Sequence, residues 1–190
     1  MPEYGKKKRN SVHEITVFAM LGTIMYLSKI LMEWAPNVHF LSALTVLYTL
    51  VYRKKALIPI YIYVFLNGLF SGFAAWWIPY LYIWTVLWGL AMLLPRKLPA
   101  AVCALLCSAL CFLHGISFGT LYAPAQALLY GFDFKTTLAW IAAGFPWDVI
   151  HALGNLASSV VILPLAALLC RLEHKELPFK RQNIKKREQL

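Results

Sequence analysis

The chain has 190 residues, of which 61% are hydrophobic and only 14% are charged. An ordinary soluble domain carries about 25% charged residues, so this composition argues against a soluble globular domain and against a disordered chain. The net charge of +10 does not indicate nucleic-acid binding either, because the basic residues lie in short clusters between and beside apolar segments.

Apolar segments separated by short polar connections predict a bundle of six transmembrane helices, since a helix needs about 20 apolar residues to cross a bilayer. The predicted spans are residues 12–34, 38–52, 56–72, 79–94, 99–119 and 147–170, and a basic tail covers 171–190. The basic start resembles a signal peptide, but no small-residue cleavage site follows, so we expect a retained first helix. We therefore expect one all-α integral membrane domain over residues 1–190.

The region between the fifth and sixth predicted spans has a mixed composition. It contains Pro124, Gly131, Asp133, Lys135 and Gly144, which interrupt the apolar pattern. Glycine and proline commonly mark turns and helix ends. We predict a long outer segment over 120–146 with interfacial or re-entrant helices.

The basic residues predict the orientation of the chain. Of the 18 lysines and arginines, 16 fall in the N-terminus, the connections at 53–55 and 96–97, and the C-terminal tail. Basic connections stay on the cytoplasmic side, so both termini are expected to be cytoplasmic.

Motifs for enzymatic chemistry are absent from the sequence. There is no glycine-rich phosphate loop, no His-Glu-x-x-His zinc signature and no Gly-x-Ser-x-Gly nucleophile elbow. Cys103, Cys107 and Cys111 repeat every four residues and are interpreted as small packing residues on one helix face. We therefore expect neither an enzyme nor a metal site.

Three polar residues near the start of the last predicted span share one helix face. Asp148, His151 and Asn155 lie at positions i, i+3 and i+7. Burial of this row in lipid would cost several kcal/mol, so the face should point into the bundle or into a solvated cavity. Two interpretations stay open: a ligand-binding row near the outer surface, or an N-terminal cap by Asp148 with hydrogen bonds between helices.

Aromatic residues are concentrated on the predicted outer side. Six of the seven tryptophans fall there, and Trp88 is the exception. Interfacial belts are the ordinary explanation, but belts normally occur on both membrane faces. An outer aromatic cluster beside a few polar groups suits a flat ring compound. The candidate substrate-binding residues are Asn37, His39, Asn67, Trp76, Trp77, Tyr80, Trp84, Trp140, Trp147, Asp148, His151 and Asn155.

Small residues in the first span form a second pattern. Ala19 and Thr23 are four residues apart, with Gly22 between them. Small residues at this spacing allow close helix contact. The contact is either intramolecular packing or an interface with a partner protein.

The chain resembles the S components of energy-coupling factor (ECF) transporters, which are the substrate-capturing subunits of vitamin uptake systems. The resemblance covers the size, the six spans, the cytoplasmic ends and the small-residue motif of the first helix. The stretch 144–155 (GFPWDVIHALGN) looks like the start of the last helix in many S components. The stretches 52–59 (YRKKALIP) and 76–80 (WWIPY) are similar to a vitamin-transporter subgroup.

The resemblance implies a transporter subunit of the bacterial plasma membrane without its own ATPase. Such a subunit captures a vitamin or related micronutrient outside the cell. It docks on an EcfT-type coupling subunit that is driven by two EcfA-type ATPase subunits, so ATP is used by partners and this chain holds no cofactor. Ala19 and Thr23 stand at the positions of the two alanines that contact the coupling subunit in the family, with threonine in place of the second alanine.

An alternative belongs to another functional class. His114 and His151 could serve a small membrane enzyme, or a haem- or metal-binding electron carrier.

Overall fold

The computed structural model describes residues 3–35 and 37–180, with side chains from residue 12 onward. This part of the chain is mostly helical and contains eight α-helices and two two-residue strands. The helices are α1 (Glu3–Leu31), α2 (Leu41–Tyr52), α3 (Leu57–Ser71), α4 (Tyr80–Met92), α5 (Ala100–Ile116), α6 (Phe118–Tyr130), α7 (Phe134–Ser158) and α8 (Ile162–Leu172). The strands are β1 (Leu98–Pro99) and β2 (Phe179–Lys180).

Three helical segments of the described chain are long and apolar enough to cross a membrane: Val12–Leu31, Ala100–Tyr130 and Phe134–Leu172. The third segment joins α7 to α8 through a short 3-10 turn at Ser159–Val161. Helices α2, α3 and α4 have 12, 15 and 13 residues, which is short for a span of about 20. The structure therefore supports a helical membrane protein, whereas the six-span count stays a prediction.

Helix α2 forms the centre of the fold. Its side chains are buried all round, and α1, α4, α5 and α8 pack against it. A helix that is apolar on every face is expected in such a position. The hydroxyl of Tyr48 on α2 donates to the carbonyl of Leu21 on α1 at 3.1 Å.

Glycine permits the closest helix contacts. A Cβ on Gly22 of α1 would overlap Ile62 and the carbonyl of Pro59 on α3. A Cβ on Gly115 of α5 would likewise overlap the backbone of Ala152 on α7. These two helix pairs are the most extensively packed in the fold, as expected where small residues let backbones approach.

The basic connections meet at one end of the bundle, which we call the basic end. The side chains that line one cavity there belong to residues 13, 14, 17, 18, 50–53, 55, 96, 97, 173 and 175–178. The segment after α8 also pairs with the α4–α5 connection: β1 and β2 are parallel, and the amide of Lys97 donates to the carbonyl of Pro178 at 2.8 Å. The basic residues thus cluster at one end, and the membrane side of that end stays a prediction.

Several predicted boundaries are corrected by the structure. The first predicted span, 12–34, ends at Leu31 because Trp34 lies in a turn. The fifth, 99–119, is interrupted by the turn at Ser117, after which α6 begins. The sixth, 147–170, begins instead at Phe134. Of the expected tail, residues 181–190 lie outside the described part of the chain, as does Pro36 of the first connection.

The predicted long outer segment over 120–146 is a helical hairpin. Helix α6 ends at Tyr130, Gly131 after it adopts a left-handed conformation (φ 68°), and α7 begins three residues later at Phe134. Asp133 caps α7 by accepting a 2.7 Å hydrogen bond from the amide of Thr136. Asp148 does not cap its own helix, because it lies in the second half of α7, but its carboxylate accepts from the amide of Gly119 in the first turn of α6.

Candidate functional site

The polar row predicted on the last helix is buried between α7 and α5–α6. Asp148, His151 and Asn155 are 6%, 3% and 0% exposed. Both carboxylate oxygens of Asp148 accept from the amide of Gly119, at 3.0 and 3.1 Å. A Cβ on Gly119 would overlap that carboxylate, so the glycine permits the contact. The row therefore faces the interior, as its spacing predicted.

Asn155 joins the row to α5. Its Nδ2 donates to the carbonyl of Cys111 at 3.2 Å. This bond is possible because Gly115 lets α7 pass close to α5 at Ala152. The predicted hydrogen bonding between helices is thus present at Asn155.

His151 belongs to a group of packed rings, which we call the aromatic–histidine cluster. Its members are His39, Tyr63, Tyr80, Trp84, His114, Phe118 and His151. The His151 ring lies 4.8 Å from that of His39 and 4.7 Å from that of Phe118, measured between centroids. Trp84 lies 5.4 Å from His114 and 5.9 Å from Tyr63. Rings from α3, α4, α5, α6, α7 and the α1–α2 connection therefore converge.

Polar atoms of this cluster are buried without a hydrogen-bond partner among the described residues. They are Nδ1 of His39, the hydroxyl of Tyr63, Nε1 of Trp84, and Nε2 of His114 and of His151. Both amide atoms of Asn67, one helical turn beyond Tyr63, and Oδ1 of Asn155 share this property. Each such atom costs about 1–3 kcal/mol, so their concentration in one place needs a physical reason.

One polar contact orients a ring of the cluster. The hydroxyl of Ser42 on α2 lies 3.1 Å from Nδ1 of His114. This contact fixes the His114 ring and leaves Nε2 on its other side.

The other predicted tryptophans surround the cluster. The ring of Trp76 packs on Tyr80 at 5.6 Å, and its carbonyl accepts from the hydroxyl of Tyr122. Trp77 donates through Nε1 to the carbonyl of Val64 at 2.8 Å. Trp140 stacks on Tyr122 at 6.1 Å. Trp76 therefore packs on the cluster directly, and Trp140 reaches it through Tyr122, whereas Trp77 packs against Phe73 and the backbone of α3.

Two predicted site residues lie outside the cluster. Trp147 is 57% exposed although its neighbour Asp148 is buried. Asn37 is exposed in the turn before α2, with a positive φ of 60°. Their predicted role in binding therefore has no support from their position.

The sequence prediction missed four residues that contact the site: Ser42, Tyr63, Phe118 and Gly119. Phe118 and Gly119 follow the turn at Ser117, which the predicted fifth span concealed. The spacing of Tyr63 and Asn67 at i and i+4 was a usable signal for a shared helix face.

The histidines of the haem or metal alternative lie near each other, with ring centroids 6.5 Å apart. Phe118 packs against both rings, at 5.9 Å from His114 and 4.7 Å from His151. Among the described residues, no three histidine, cysteine or acidic side chains are grouped to hold a metal ion. The Nε2 atoms of His114 and His151 have no hydrogen-bond partner among the described residues, so the haem or metal alternative can be tested at these two atoms.

The small residues of α1 divide between two environments. Gly22 is buried against α3, as intramolecular packing predicts. Ala19 and Thr23 are exposed on another side of the helix. An interface with a partner would therefore use Ala19 and Thr23, with Gly22 behind them.

No protein-family model matches the chain, and neither a curated protein nor a solved structure shows significant similarity to it. The resemblance to S components therefore rests on the sequence motifs.

Proposed function

We propose that this protein is a membrane solute-binding subunit of the S-component kind, which captures a ring-containing vitamin or related micronutrient outside the cell. The observation that carries the proposal is the set of unpartnered polar atoms in the aromatic–histidine cluster. Three candidate membrane spans agree with a location in the plasma membrane.

The composition of the cluster favours a flat solute. Aromatic faces bind planar rings by stacking, and a few polar groups set the orientation. The indole N–H of Trp84 is a donor, whereas the Asn67 amide offers both a donor and acceptors. A ring with its own nitrogen and oxygen atoms would satisfy these groups.

The charges around the cluster favour an uncharged solute. Asp148, the carboxylate on the polar row, is already bonded to the amide of Gly119. The unpartnered groups are amide, indole, phenol and imidazole. An ion brought here would lose its hydration without gaining a free counter-charge, which is costly. Neutral nitrogen heterocycles are therefore the expected class.

Entry of a solute requires a ring to move, because the rings are now in contact. His39 precedes α2 in a non-helical connection, and Phe118 follows the turn at Ser117. Both rings pack on His151. Rotation of either ring would expose the polar atoms without breaking a helix.

Energy for transport would come from partner subunits. The proposed complex contains an EcfT-type coupling subunit and two EcfA-type ATPase subunits, which hydrolyse ATP. The exposed positions Ala19 and Thr23 are the proposed contact with the coupling subunit.

Binding is tested on purified protein with a panel of neutral water-soluble vitamins and nucleobases. A true ligand at 100 times its Kd should stabilise the fold by about 2.7 kcal/mol. Asn67→Leu should weaken binding about 10- to 100-fold, since it removes both hydrogen-bonding groups. Trp147→Leu on the exposed face of α7 is the matched control and should bind normally. Absence of any ligand below the micromolar range would contradict the proposal.

Transport is tested in cells that carry the coupling module. Ala19→Trp or Thr23→Trp should block uptake and leave solute binding intact, because these side chains are exposed and do not belong to the cluster. Exposed Met20→Trp is the control on the neighbouring face. Equal loss of binding and uptake would refute this division of roles.

The haem alternative predicts a different result from the same preparation. A haem held by His114 and His151 would give an intense absorbance band in purified protein, and both His114→Leu and His151→Leu would abolish it.

A further inference from the structure

The basic end contains a cavity of about 610 Å³ that the proposed solute site does not use. It lies between the start of α1, the connection after α2, the α4–α5 connection and the segment after α8. Five lysines and arginines line it, against three glutamates. The cavity therefore carries an excess of positive charge.

All three glutamates already have partners. Glu14 accepts from Lys55 at 2.7 and 2.8 Å. Glu176 accepts from Lys97 at 2.6 Å, and Glu173 lies 3.3 Å from the His13 ring.

Three cations remain without a carboxylate partner among the described residues: Arg53, Arg96 and Lys175. Arg53 donates one N–H to the carbonyl of Met92, at 2.6 Å. Lys175 lies over the ring of Tyr52, with its Nζ 3.7 Å from the centroid. Arg53 and Lys175 are thus held in place without a carboxylate that neutralises them.

The three cations line the same cavity; Arg53 is partly buried, whereas Arg96 and Lys175 are exposed. Burial lowers the pKa of the Arg53 guanidinium, and the positive charge of Arg96 lowers it further. Burial also lowers the pKa of Lys175. Two arginines that repel each other are a suitable pair for an oxygen-rich dianion or diester between them.

Exposed apolar side chains flank the lining residues along the chain, next to exposed basic ones such as Lys54 and Arg171. They are Val12 and Ile15 of α1, Leu93 after α4 and Leu172 of α8, at 58%, 66%, 78% and 64% exposure. A charged recess bordered by apolar side chains fits the level at which lipid headgroups meet acyl chains.

We propose that the cavity at the basic end binds a phosphate group through Arg53, Arg96 and Lys175. The phosphate belongs either to the headgroup of an anionic phospholipid or to a soluble phosphate ester. The flanking apolar side chains favour the lipid, whose chains would cover them.

The experiment measures thermal stabilisation of the purified full chain by phosphatidylglycerol, with phosphatidylcholine as the zwitterionic control and glycerol 3-phosphate as the soluble arm. Native mass spectrometry counts retained lipids. We expect stabilisation by phosphatidylglycerol that declines with added salt, and no comparable effect of phosphatidylcholine. Binding of glycerol 3-phosphate alone would assign the site to a soluble ester.

The double variant Arg96→Gln/Lys175→Gln should weaken phosphatidylglycerol binding by about 10-fold or more, as expected for the loss of charge-assisted contacts. Lys54→Gln/Lys135→Gln removes the same net charge at exposed positions outside the cavity and should bind as the wild type does. Retained binding in the first variant would overturn the proposal, as would equal stabilisation by both lipids with no effect of glycerol 3-phosphate. A gel-filtration profile confirms that each variant is folded.

Discussion

At the scale of single residues, the contact between Gly119 and Asp148 ties α6 to α7. The Asp148 carboxylate occupies the space that a side chain at position 119 would fill. Gly119→Ala should therefore displace the carboxylate, break both hydrogen bonds and lower the thermal midpoint as well as solute affinity. A cost of about 1–3 kcal/mol is expected for loss of a hydrogen bond to a buried charged group.

Gly144→Ala is the matched control for that change. Gly144 also lies in a helix, and no atom lies within 4 Å of a Cβ built there. Alanine is the better helix former, so this variant should be neutral or slightly stabilising. Equal loss of stability in both variants would show that the Asp148 contact does not matter.

Residue-scale prediction from sequence succeeded where spacing determined the answer. The i, i+3, i+7 pattern correctly placed Asp148, His151 and Asn155 on one buried face. Residue type alone did not separate the buried Trp84 from the exposed Trp147, because tryptophan is common both in cores and at membrane interfaces. Only the direction of each side chain in the folded bundle distinguishes them.

At the scale of helices, the approach of α5 to α7 depends on Gly115. A methyl group there would meet the backbone of Ala152, which cannot rotate away as a side chain can. Gly115→Ala should destabilise the protein by about 1–3 kcal/mol, the usual cost of overpacking. Gly89→Ala on α4, where no atom lies within 4 Å of the added Cβ, should not. Thermal unfolding in detergent compares the two.

The hairpin between α6 and α7 provides a pH-dependent test of helix capping. Hydrogen bonds from Thr136 hold the pKa of Asp133 below its usual value. The cap therefore contributes stability above the ordinary carboxyl pKa, and this contribution is lost as the pH falls through the lowered value. Asp133→Ala should lower the thermal midpoint at neutral pH, with a smaller difference in acid.

Asp133→Asn is the control for the same position. Asparagine caps helices about as well as aspartate but does not titrate in this range. It should preserve stability at neutral pH and show no carboxyl-linked decline. An Asp133→Ala deficit that is constant across the pH range would contradict the capping role.

The hairpin also shows why helix boundaries were predicted unevenly. The ends of α2, α3 and α4 lie within three residues of the predicted ones, because Arg53 follows α2, Gly72 follows α3 and Pro95 lies just beyond α4. The sequence analysis predicted more helix interruptions within residues 120–146 than the structure contains. Pro124 and Pro146 both lie inside helices, and only Gly131 and Asp133 mark a real connection. A turn signal in the sequence does not reveal whether tertiary packing will override it.

At the scale of the whole molecule, the segment after α8 closes the basic end. Phe179 is 6% exposed and belongs to the hydrophobic core, whereas Glu176 lies at the surface beside Lys97. Burial of Phe179 should contribute more to the free energy of unfolding than the exposed Glu176–Lys97 ion pair, because salt and solvent screen that pair. Phe179→Ala is expected to cost about 3 kcal/mol or more. Glu176→Gln should change the thermal midpoint little, and a larger effect of Glu176→Gln would reverse this ranking.

The two proposed sites lie at opposite ends of α2 and should act independently. Helix α2 has 12 residues, so its ends are about 18 Å apart at 1.5 Å per residue. Substitutions farther apart than about 10 Å and without shared partners add to within roughly 0.5 kcal/mol. The Arg96→Gln/Lys175→Gln variant should therefore leave solute affinity unchanged, and Asn67→Leu should leave phosphatidylglycerol binding unchanged. Combining them should give the sum of the separate losses in a binding titration with both ligands. A coupling energy above about 1 kcal/mol would instead mean that α2 transmits the state of one end to the other.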